Sequence, residues 1–211
     1  MNKAKVACYI DGFNLYHAIK GLPPPNQHLK WVNLWGLASA FIQHGGERLV
    51  GVYYFSALAY WLPAEQARHR AFIAANRAVG VTPVLGEFKA KTRRCGSCGA
   101  VWTTHEEKQS DVNLAVHLTH HAALGLYDRA LVVSADSDMC SAIDLVLSAF
   151  PDKQVRILTP PGRYNIAQEI RGMVRTSRIR PRHIERNLLP AALTDAQGNV
   201  IRRPAKYDPP V

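Results

Sequence analysis

The chain lacks any uninterrupted apolar run of about 18 residues, the length that a membrane-spanning helix needs. Its apolar stretch near the amino terminus is too short for a secretory signal and is soon interrupted by Asp11. Only four cysteines occur among 211 residues, so a disulfide framework is not expected. These absences predict a cytoplasmic protein with no membrane partner, in which Cys8 and Cys140 are reduced thiols of the core.

Acidic residues are also scarce, since 16 aspartates and glutamates face 26 lysines and arginines, which gives a net charge of +10. Clustered cations bind phosphate backbones favourably because binding releases counterions. The imbalance therefore indicates a polyanionic partner. Basicity alone does not identify a nucleic acid, so the function has to be inferred from motifs.

Short apolar runs alternate with longer helix-like stretches along most of the chain. Because the runs are apolar at every position, they predict strands buried on both faces of a parallel sheet. The predicted strands are 5–10, 49–55, 81–85, 130–134 and 155–159. The predicted helices are 32–43, 63–79, 111–124, 138–149 and 165–173. This alternation is typical of an α/β fold with one core.

Two segments interrupt the alternation. Residues 89–108 contain paired cysteines and glycines, which predict a small knuckle inserted before the third major helix. Residues after about 187 contain proline and have little periodicity, so they predict either a mobile tail or an extended arm that packs on the domain.

The few acidic residues include four aspartates near predicted strand ends. Asp11 follows the first strand, Asp136 and Asp138 follow the fourth, and Asp111 opens the helix between them. A parallel sheet brings the carboxyl ends of its central strands together, so these carboxylates are expected to converge. Mg²⁺ or Mn²⁺ would relieve their repulsion, because hard divalent ions prefer oxygen ligands. The simpler alternative is helix capping, by Asp11 with Asn14 and by Asp138.

Three blocks in order resemble the NYN domain family, in its LabA-like or DUF88 branch of the PIN-like nuclease superfamily: YIDGFNLY, EEKQSDVNLAVHL and YDRALVVSADSDMCSAIDLV. The resemblance covers roughly residues 4–175. It implies a PIN-like, Rossmannoid three-layer sandwich with a central, mainly parallel sheet and a small CxxC knuckle. The domain is then expected over residues 1–175, with the knuckle at 89–108 and a basic C-terminal extension at 176–211.

The same resemblance implies a metal-dependent ribonuclease that hydrolyses RNA phosphodiester bonds. A bound Mg²⁺ or Mn²⁺ lowers the pKa of a water ligand and neutralises charge on the scissile phosphate. The implied metal ligands are Asp11, Asp111, Asp136 and Asp138, with Asn14 and Ser134 as supporting polar groups.

Two other functions share features with the ribonuclease. Some relatives resemble regulatory proteins, so one alternative is a non-catalytic RNA-binding or regulatory module with the same fold. A haloacid-dehalogenase-like phosphatase also combines a parallel sheet with strand-end aspartates. That family requires a second aspartate two residues after the first, and Phe13 stands there instead.

The CxxC pair of Cys95 and Cys98 is half of a zinc ribbon. His105 is the nearest further ligand, and a fourth could come from another histidine, water or a second chain. Structural zinc at this point would hold a loop that faces RNA, whereas the alternative is a turn with two reduced thiols. His117 and His121 share a helix face, but they lack the HExxH glutamate and are interpreted as ordinary surface histidines.

Two basic runs predict contacts with single-stranded RNA. One surrounds the cysteines and the other follows the last predicted helix of the core. The residues predicted to bind nucleic acid are Lys91, Arg93, Arg94, Lys108, Arg175, Arg178 and Arg180. The alternative for each is a solvated surface cation. The family resemblance is also consistent with a homodimer.

Overall fold

The computed structural model describes residues 3–165 and 167–210. The strands in this part of the chain are β1 (Ala4–Asp11), β2 (Glu47–Ser56), β3 (Thr82–Leu85), β4 (Glu87–Arg94), β5 (Val101–Lys108), β6 (Arg129–Val133), β7 (Gln154–Thr159), β8 (Thr176–Arg178), β9 (Ala192–Thr194) and β10 (Val200–Arg202). Six of them form a sheet in the order β3-β2-β1-β6-β7-β8, and all pairings within it are parallel. The predicted α/β fold with a central parallel sheet is confirmed.

Helices cover both faces of the sheet. The α-helices are α1 (Gly12–Lys20), α2 (Leu34–Ser39), α3 (Pro63–Ala78), α4 (Ser110–Ala123), α5 (Cys140–Ala149), α6 (Gln168–Met173) and α7 (Pro181–Glu185). Short 3₁₀ turns lie at Gln27–Trp31, Ser137–Met139 and Ala205–Tyr207. None of the helices in residues 3–165 and 167–210 is long and apolar enough to cross a membrane.

Strand β1 shows why the central strands are apolar throughout. Val6, Cys8 and Ile10 pack into the core on one face of the sheet, while Ala7 and Tyr9 pack into the core on the other. Successive side chains of a strand point to opposite faces, so a strand covered on both sides needs an apolar residue at each position. Burial also raises the pKa of the Cys8 thiol, which therefore stays protonated.

The sheet includes one strand that the sequence analysis missed. Strand β8 has three residues and pairs with the end of β7. Such a short strand within a run of arginines has no periodicity that distinguishes it from a loop. Because β8 begins at residue 176, the sheet continues into the segment predicted as a C-terminal extension.

Two helices are shorter than predicted. The helix predicted at 32–43 extends only over Leu34–Ser39, where Asn33 caps its start by accepting a 2.9 Å hydrogen bond from the Gly36 N–H. The helix predicted at 165–173 begins at Gln168, and residue 166 lies outside the described residues.

Residues 89–108 form an exposed ribbon instead of the predicted compact knuckle. Strands β4 and β5 pair antiparallel in eight steps, from the Glu87–Lys108 pair to the Arg94–Val101 pair. The Cys95 N–H then donates to the Ala100 carbonyl at 2.8 Å and closes the turn at the tip. The ribbon is held by its own backbone hydrogen bonds and needs no knuckle core.

The C-terminal segment packs on the domain as an arm, which is one of the two predicted alternatives. Leu188 forms a β-bridge with Val32. The Trp31 indole N–H donates to the Pro190 carbonyl at 2.9 Å, and the ring of Tyr207 lies 6.5 Å from that of Trp31. These contacts cover the core between the sheet and α1–α3.

Candidate functional site

Asp11 ends β1 and caps the helix that follows it. One carboxylate oxygen accepts a 2.9 Å hydrogen bond from the Asn14 N–H, and the Ser134 hydroxyl donates to the other at 3.2 Å. Gly12 is required next because a Cβ there would stand 2.6 Å from the Phe55 carbonyl oxygen. Helix α1 therefore starts directly against β2, and Asp11 is fixed at the carboxyl edge of the sheet.

The Asn14 side chain does not cap the helix but lies in a cleft beside Asp11. Its amide oxygen is buried without a hydrogen-bond partner in the described part of the chain. Asn14, Asp11 and Asp136 line the same cleft. A buried acceptor left unpaired costs about 1–3 kcal/mol, which a bound cation or water would recover.

A second chain of hydrogen bonds fixes the residues that follow β6. The Asp136 N–H donates to the Ser134 hydroxyl at 3.1 Å, and the Asp138 N–H donates to the Asp136 carboxylate at 3.2 Å. Asp136 is therefore the N-cap of the 3₁₀ turn, and the prediction of an N-cap at Asp138 was wrong. Asp138 is exposed and is not among the residues that line the cleft.

Asp111 reaches the cleft from the first turn of α4. The chain enters this helix through Gln109, whose φ of 82° is in the left-handed region that residues other than glycine rarely adopt. Glu107 fixes the start of the helix by accepting hydrogen bonds from the Ser110 N–H at 3.0 Å and from its hydroxyl at 2.6 Å. Glu107 also lines the cleft. Sequence reasoning missed this acid because it lies inside an ordinary polar strand.

The carboxylates of the cleft affect one another's ionisation. Burial, together with the charges of Asp111 and Asp136, raises the pKa of Asp11 to about 6. Burial and the charges of neighbouring acids, first among them Glu107, also raise the pKa of Asp111. Carboxylates raise one another's pKa in this way when they are close together. The negative charge of the cleft therefore outweighs the positive charge of Arg163, which also lines it.

The donor atoms of the cleft fit a hard divalent cation. They are carboxylate oxygens and the unpaired amide oxygen of Asn14, the ligand type that Mg²⁺ and Mn²⁺ prefer. Within residues 3–165 and 167–210, no three acidic, histidine or cysteine side chains form a group arranged to hold one ion. The chemistry of the donors thus fits the ion, while their spacing leaves the ligand shell open.

The base of the hairpin forms one wall of the cleft. Phe88 and His105 line it, and the ring of Phe88 packs edge-on against Phe13 with centroids 5.6 Å apart. The His105 ring stacks on Trp61 at 3.6 Å with an interplanar angle of 7°. Arg163 also lines the cleft.

The structure separates His105 from the two thiols with which it was predicted to bind zinc. Cys95 and Cys98 occupy the tip of the hairpin, whereas His105 pairs with Ala90 midway along the ribbon. Four residues of strand, about 13 Å, separate this pair from the last pair before the turn. The predicted set of Cys95, Cys98 and His105 is therefore not assembled, because a straight ribbon holds its tip away from His105.

His117 and His121 are side by side on α4, but they pack inward. The ring centroids are 5.2 Å apart, and both rings lie against Tyr53. His121 is 8% exposed and one of its ring nitrogens lies 2.9 Å from the Tyr9 hydroxyl. The interpretation of His121 as a surface histidine was wrong, since the tyrosines of β1 and β2 bury it.

Three of the hairpin cations predicted to bind RNA contact one acid. The Lys91 and Lys108 ammonium groups each lie 3.5 Å from the Glu106 carboxylate, and the Arg93 guanidinium contacts it directly. Partial desolvation would raise the pKa of Glu106, but these three cations lower it overall. Arg94 has no carboxylate within 4 Å in the described part of the chain.

The arginines predicted to bind RNA beyond α6 differ from these. In residues 3–165 and 167–210, Arg175, Arg178 and Arg180 have no acidic side chain within 4 Å. All three are exposed. Their positive charge is available to a ligand.

Comparison with known proteins identifies the family of this fold. A family model described as the NYN domain matches residues 5–165. The chain belongs to the NYN domain family. That family is part of the PIN-like nuclease superfamily, so the resemblance drawn from the sequence is confirmed. The match ends before α6 and β8, so these elements of the NYN protein lie outside the matched residues.

Two further comparisons concern individual proteins. The NYN protein is 37% identical over 60 residues to 6-hydroxy-3-succinoylpyridine 3-monooxygenase HspA of Pseudomonas putida, a stretch that covers 28% of this chain and only 19% of that protein. A crystal structure of a protein of unknown function from Vibrio parahaemolyticus is similar with a TM-score of 0.52 and 21% identity, covering 84% of this chain and 93% of that one. The second likeness shows the fold alone.

Proposed function

We propose that this NYN protein is a divalent-metal-dependent ribonuclease that hydrolyses RNA phosphodiester bonds at the strand-end cleft. The observation that carries the proposal is the convergence of Asp11, Asp111 and Asp136 on one cleft, where their charges interact. A surface that only bound phosphates would not gather carboxylates, because they repel the ligand. The nuclease fold of the family and the net charge of +10 support RNA as the substrate.

The ligands proposed for Mg²⁺ or Mn²⁺ are Asp11, Asp111, Asp136 and the amide oxygen of Asn14, with Asp138 next to them. When bound, such an ion supplies a water of lowered pKa and neutralises charge on the phosphate. In the hydrolysis, a water oxygen bonds to phosphorus while the bond from phosphorus to the leaving ribose oxygen breaks. That ribose oxygen takes up a proton, and the attacking water releases one.

The contribution of the chain's own residues is to hold the donors in place. Asp11 is fixed by the Asn14 N–H and the Ser134 hydroxyl, and Asp136 is fixed by Ser134 and the Asp138 N–H. Ser134 therefore joins the two strand ends. Donors that are already oriented need little reorganisation when charge develops in the transition state.

The test is cleavage of labelled single-stranded RNA and DNA by protein freed of metal, with Mg²⁺, Mn²⁺ or neither added. We expect cleavage of RNA only with metal, and a loss of about a hundredfold or more in Asp136→Asn. The asparagine oxygen can still accept from the Asp138 N–H, so the turn is preserved. Asp144→Asn, an exposed acid on α5, is the control with the same change of charge and should cleave like the parent.

Two outcomes would contradict the ribonuclease. Cleavage that persists in Asp136→Asn would remove the proposed site. Binding that weakens with salt, without cleavage under any metal, would favour the alternative, a non-catalytic RNA-binding module.

A further inference from the structure

A group of arginines lies beyond the cleft on the β7–β8 side of the sheet. Arg171, Arg175 and Arg178 are exposed, and Arg163 is partly buried. None of the four has an acidic side chain within 4 Å in residues 3–165 and 167–210. We call these four residues the arginine group.

Two members of the arginine group share one aromatic ring. The guanidinium carbon of Arg171 lies 3.9 Å from the ring centroid of Tyr164, and that of Arg178 lies 3.7 Å from it. The two charges are therefore within about 8 Å of each other, and they repel unless an anion lies near both. The ring is occupied by guanidinium groups, so it is not free to stack on a base. The arrangement suits phosphate, which an arginine fork binds strongly.

The arginine group is continuous with the acidic cleft. Asn14, Asp136 and Arg163 line both the cleft and the depression next to it. Gln168 in turn lines both that depression and the one that contains Arg171 and Arg175. A single groove therefore follows the carboxyl edge of the sheet from the aspartates to the arginines.

The order of the strands gives the scale of this groove. Asp136 follows β6, and Arg178 ends β8, two strands further along the sheet. Neighbouring strands lie about 4.8 Å apart, so the groove extends about 10 Å sideways from the cleft. That distance corresponds to a few nucleotides of one strand.

The hairpin is the other basic surface beside the cleft, but its charges are engaged. Glu106 contacts Lys91, Arg93 and Lys108, and Glu87 lies 3.2 Å from Lys89. A phosphate at these cations would compete with a carboxylate that is already in place. In the described part of the chain no carboxylate lies within 4 Å of the arginine group, although Glu169 lines the depression beside Arg163.

We infer that the arginine group binds the phosphates of the RNA strand on one side of the scissile bond, and that the hairpin cations do not. This inference rests on the proposed function for the position of the scissile bond. Because contacts to phosphates carry no information about the bases, binding there is independent of sequence. The group therefore holds single-stranded RNA along the groove and presents it to the aspartates.

The experiment compares two double variants of equal charge change, Arg171→Gln/Arg175→Gln in the arginine group and Lys91→Gln/Arg93→Gln on the hairpin. Affinity for labelled single-stranded RNA is measured by fluorescence anisotropy in EDTA, where no metal-dependent cleavage occurs, over a series of salt concentrations. We expect the first variant to bind at least about tenfold more weakly, with a slope of log K against log salt reduced by about 1.4. The second should stay within about twofold of the parent.

Equal losses in the two variants, a loss only in the hairpin variant, or no loss in the arginine variant would each overturn the inference. Circular dichroism and thermal unfolding check that both variants fold, and Arg163→Gln gives a single-site measurement if the double variant does not. Cleavage is assayed separately. A parent that binds RNA through the arginine group but cleaves nothing would contradict the ribonuclease and leave this inference intact. A parent that cleaves RNA, together with an arginine variant that keeps its affinity, would contradict this inference and leave the ribonuclease intact.

Discussion

Charged side chains of the hairpin contact charges of the opposite sign, whereas those of the strand-end groove lie beside charges of the same sign. On the hairpin, Glu106 lies among three cations, so each of them has a carboxylate within reach although the group keeps a net positive charge. In the groove, carboxylates gather at one end and unpaired arginines at the other, and like charges repel at both. Folding alone gains nothing from such crowding, whereas a ligand that brings cations to the aspartates and phosphates to the arginines relieves both. Unrelieved charge of this kind supports the groove as the proposed site.

The largest difference between the two regions should appear in stability. The pKa of Asp11 rises from an ordinary 3.8 to about 6 in the folded protein. Between these values the folded state binds more protons than the unfolded state, so the contribution of Asp11 to stability is lost as the pH rises. Asp11→Asn removes this loss, and we expect the metal-free protein at pH 7 to gain about 1–3 kcal/mol in free energy of unfolding. At pH 3.5 the gain should vanish. Denaturant unfolding in EDTA measures both.

Two controls isolate this effect. Burial lowers the pKa of His69 to about 4, which makes stability increase with pH over much of the same range, so each variant is compared with the parent and not with an absolute curve. Asp144→Asn changes the net charge equally at an exposed position and should leave stability nearly unchanged. Both substitutions remove one negative charge. Equal stabilisation by the two would mean that this loss of charge, and not its position in the cleft, determines the result.

A smaller effect is expected from releasing the hairpin cations. Glu106→Gln leaves Lys91, Arg93 and Lys108 without their shared partner, so they become available to RNA phosphates. We expect about a two- to fivefold increase in RNA affinity at moderate salt and a steeper salt dependence. The matched substitution is Glu87→Gln, which frees only Lys89 and should change affinity less. An unchanged affinity in Glu106→Gln would show that the hairpin lies away from the RNA path whatever its charge.

The sequence was sufficient to predict the sheet and the approach of the aspartates. Runs such as 5–10 and 130–134 are apolar at every position, which only a covered strand requires, and their ends must meet at one edge of a parallel sheet. The family match and the parallel sheet confirm the fold, and the cleft is lined by Asp11, Asp111 and Asp136 but not by Asp138. Strand β8 could not be predicted, because three residues among arginines are held in the sheet by β7 rather than by any local preference.

The sequence could not reveal which cations are free. Whether Glu106 faces Lys91 depends on the register of the hairpin, and a slip of one residue would turn its side chain to the opposite face. That register is set by the turn that begins at Cys95. Tyr164 was missed for a similar reason, since its two arginines come from α6 and β8, which only the folded chain brings together.

The smallest effect is expected from zinc at the tip of the hairpin, where the sequence predicts that the thiol pair binds it. Hydrogen bonds from the backbone N–H groups of Cys98 and Ser97 lower the pKa of Cys95, which favours the thiolate that a metal needs. Two thiols supply only half of a closed zinc site, so the remaining ligands would have to come from water or from a second chain. The ribbon already has its own ladder of hydrogen bonds, and we expect chelation to shift the melting temperature by less than about 2 °C.

Removal of the two thiols should also leave the charge pairing of the hairpin unchanged. Cys95→Ser/Cys98→Ser should bind RNA with the affinity and salt dependence of the parent, because Glu106 holds its cations through the register of the strands and not through the tip. A dimer that dissociates on chelation, or an RNA affinity that rises when the thiols are removed, would contradict this. Either result would mean that a metal shared between two chains maintains the hairpin, and that the pairing of its charges is a property of the dimer instead of the single chain.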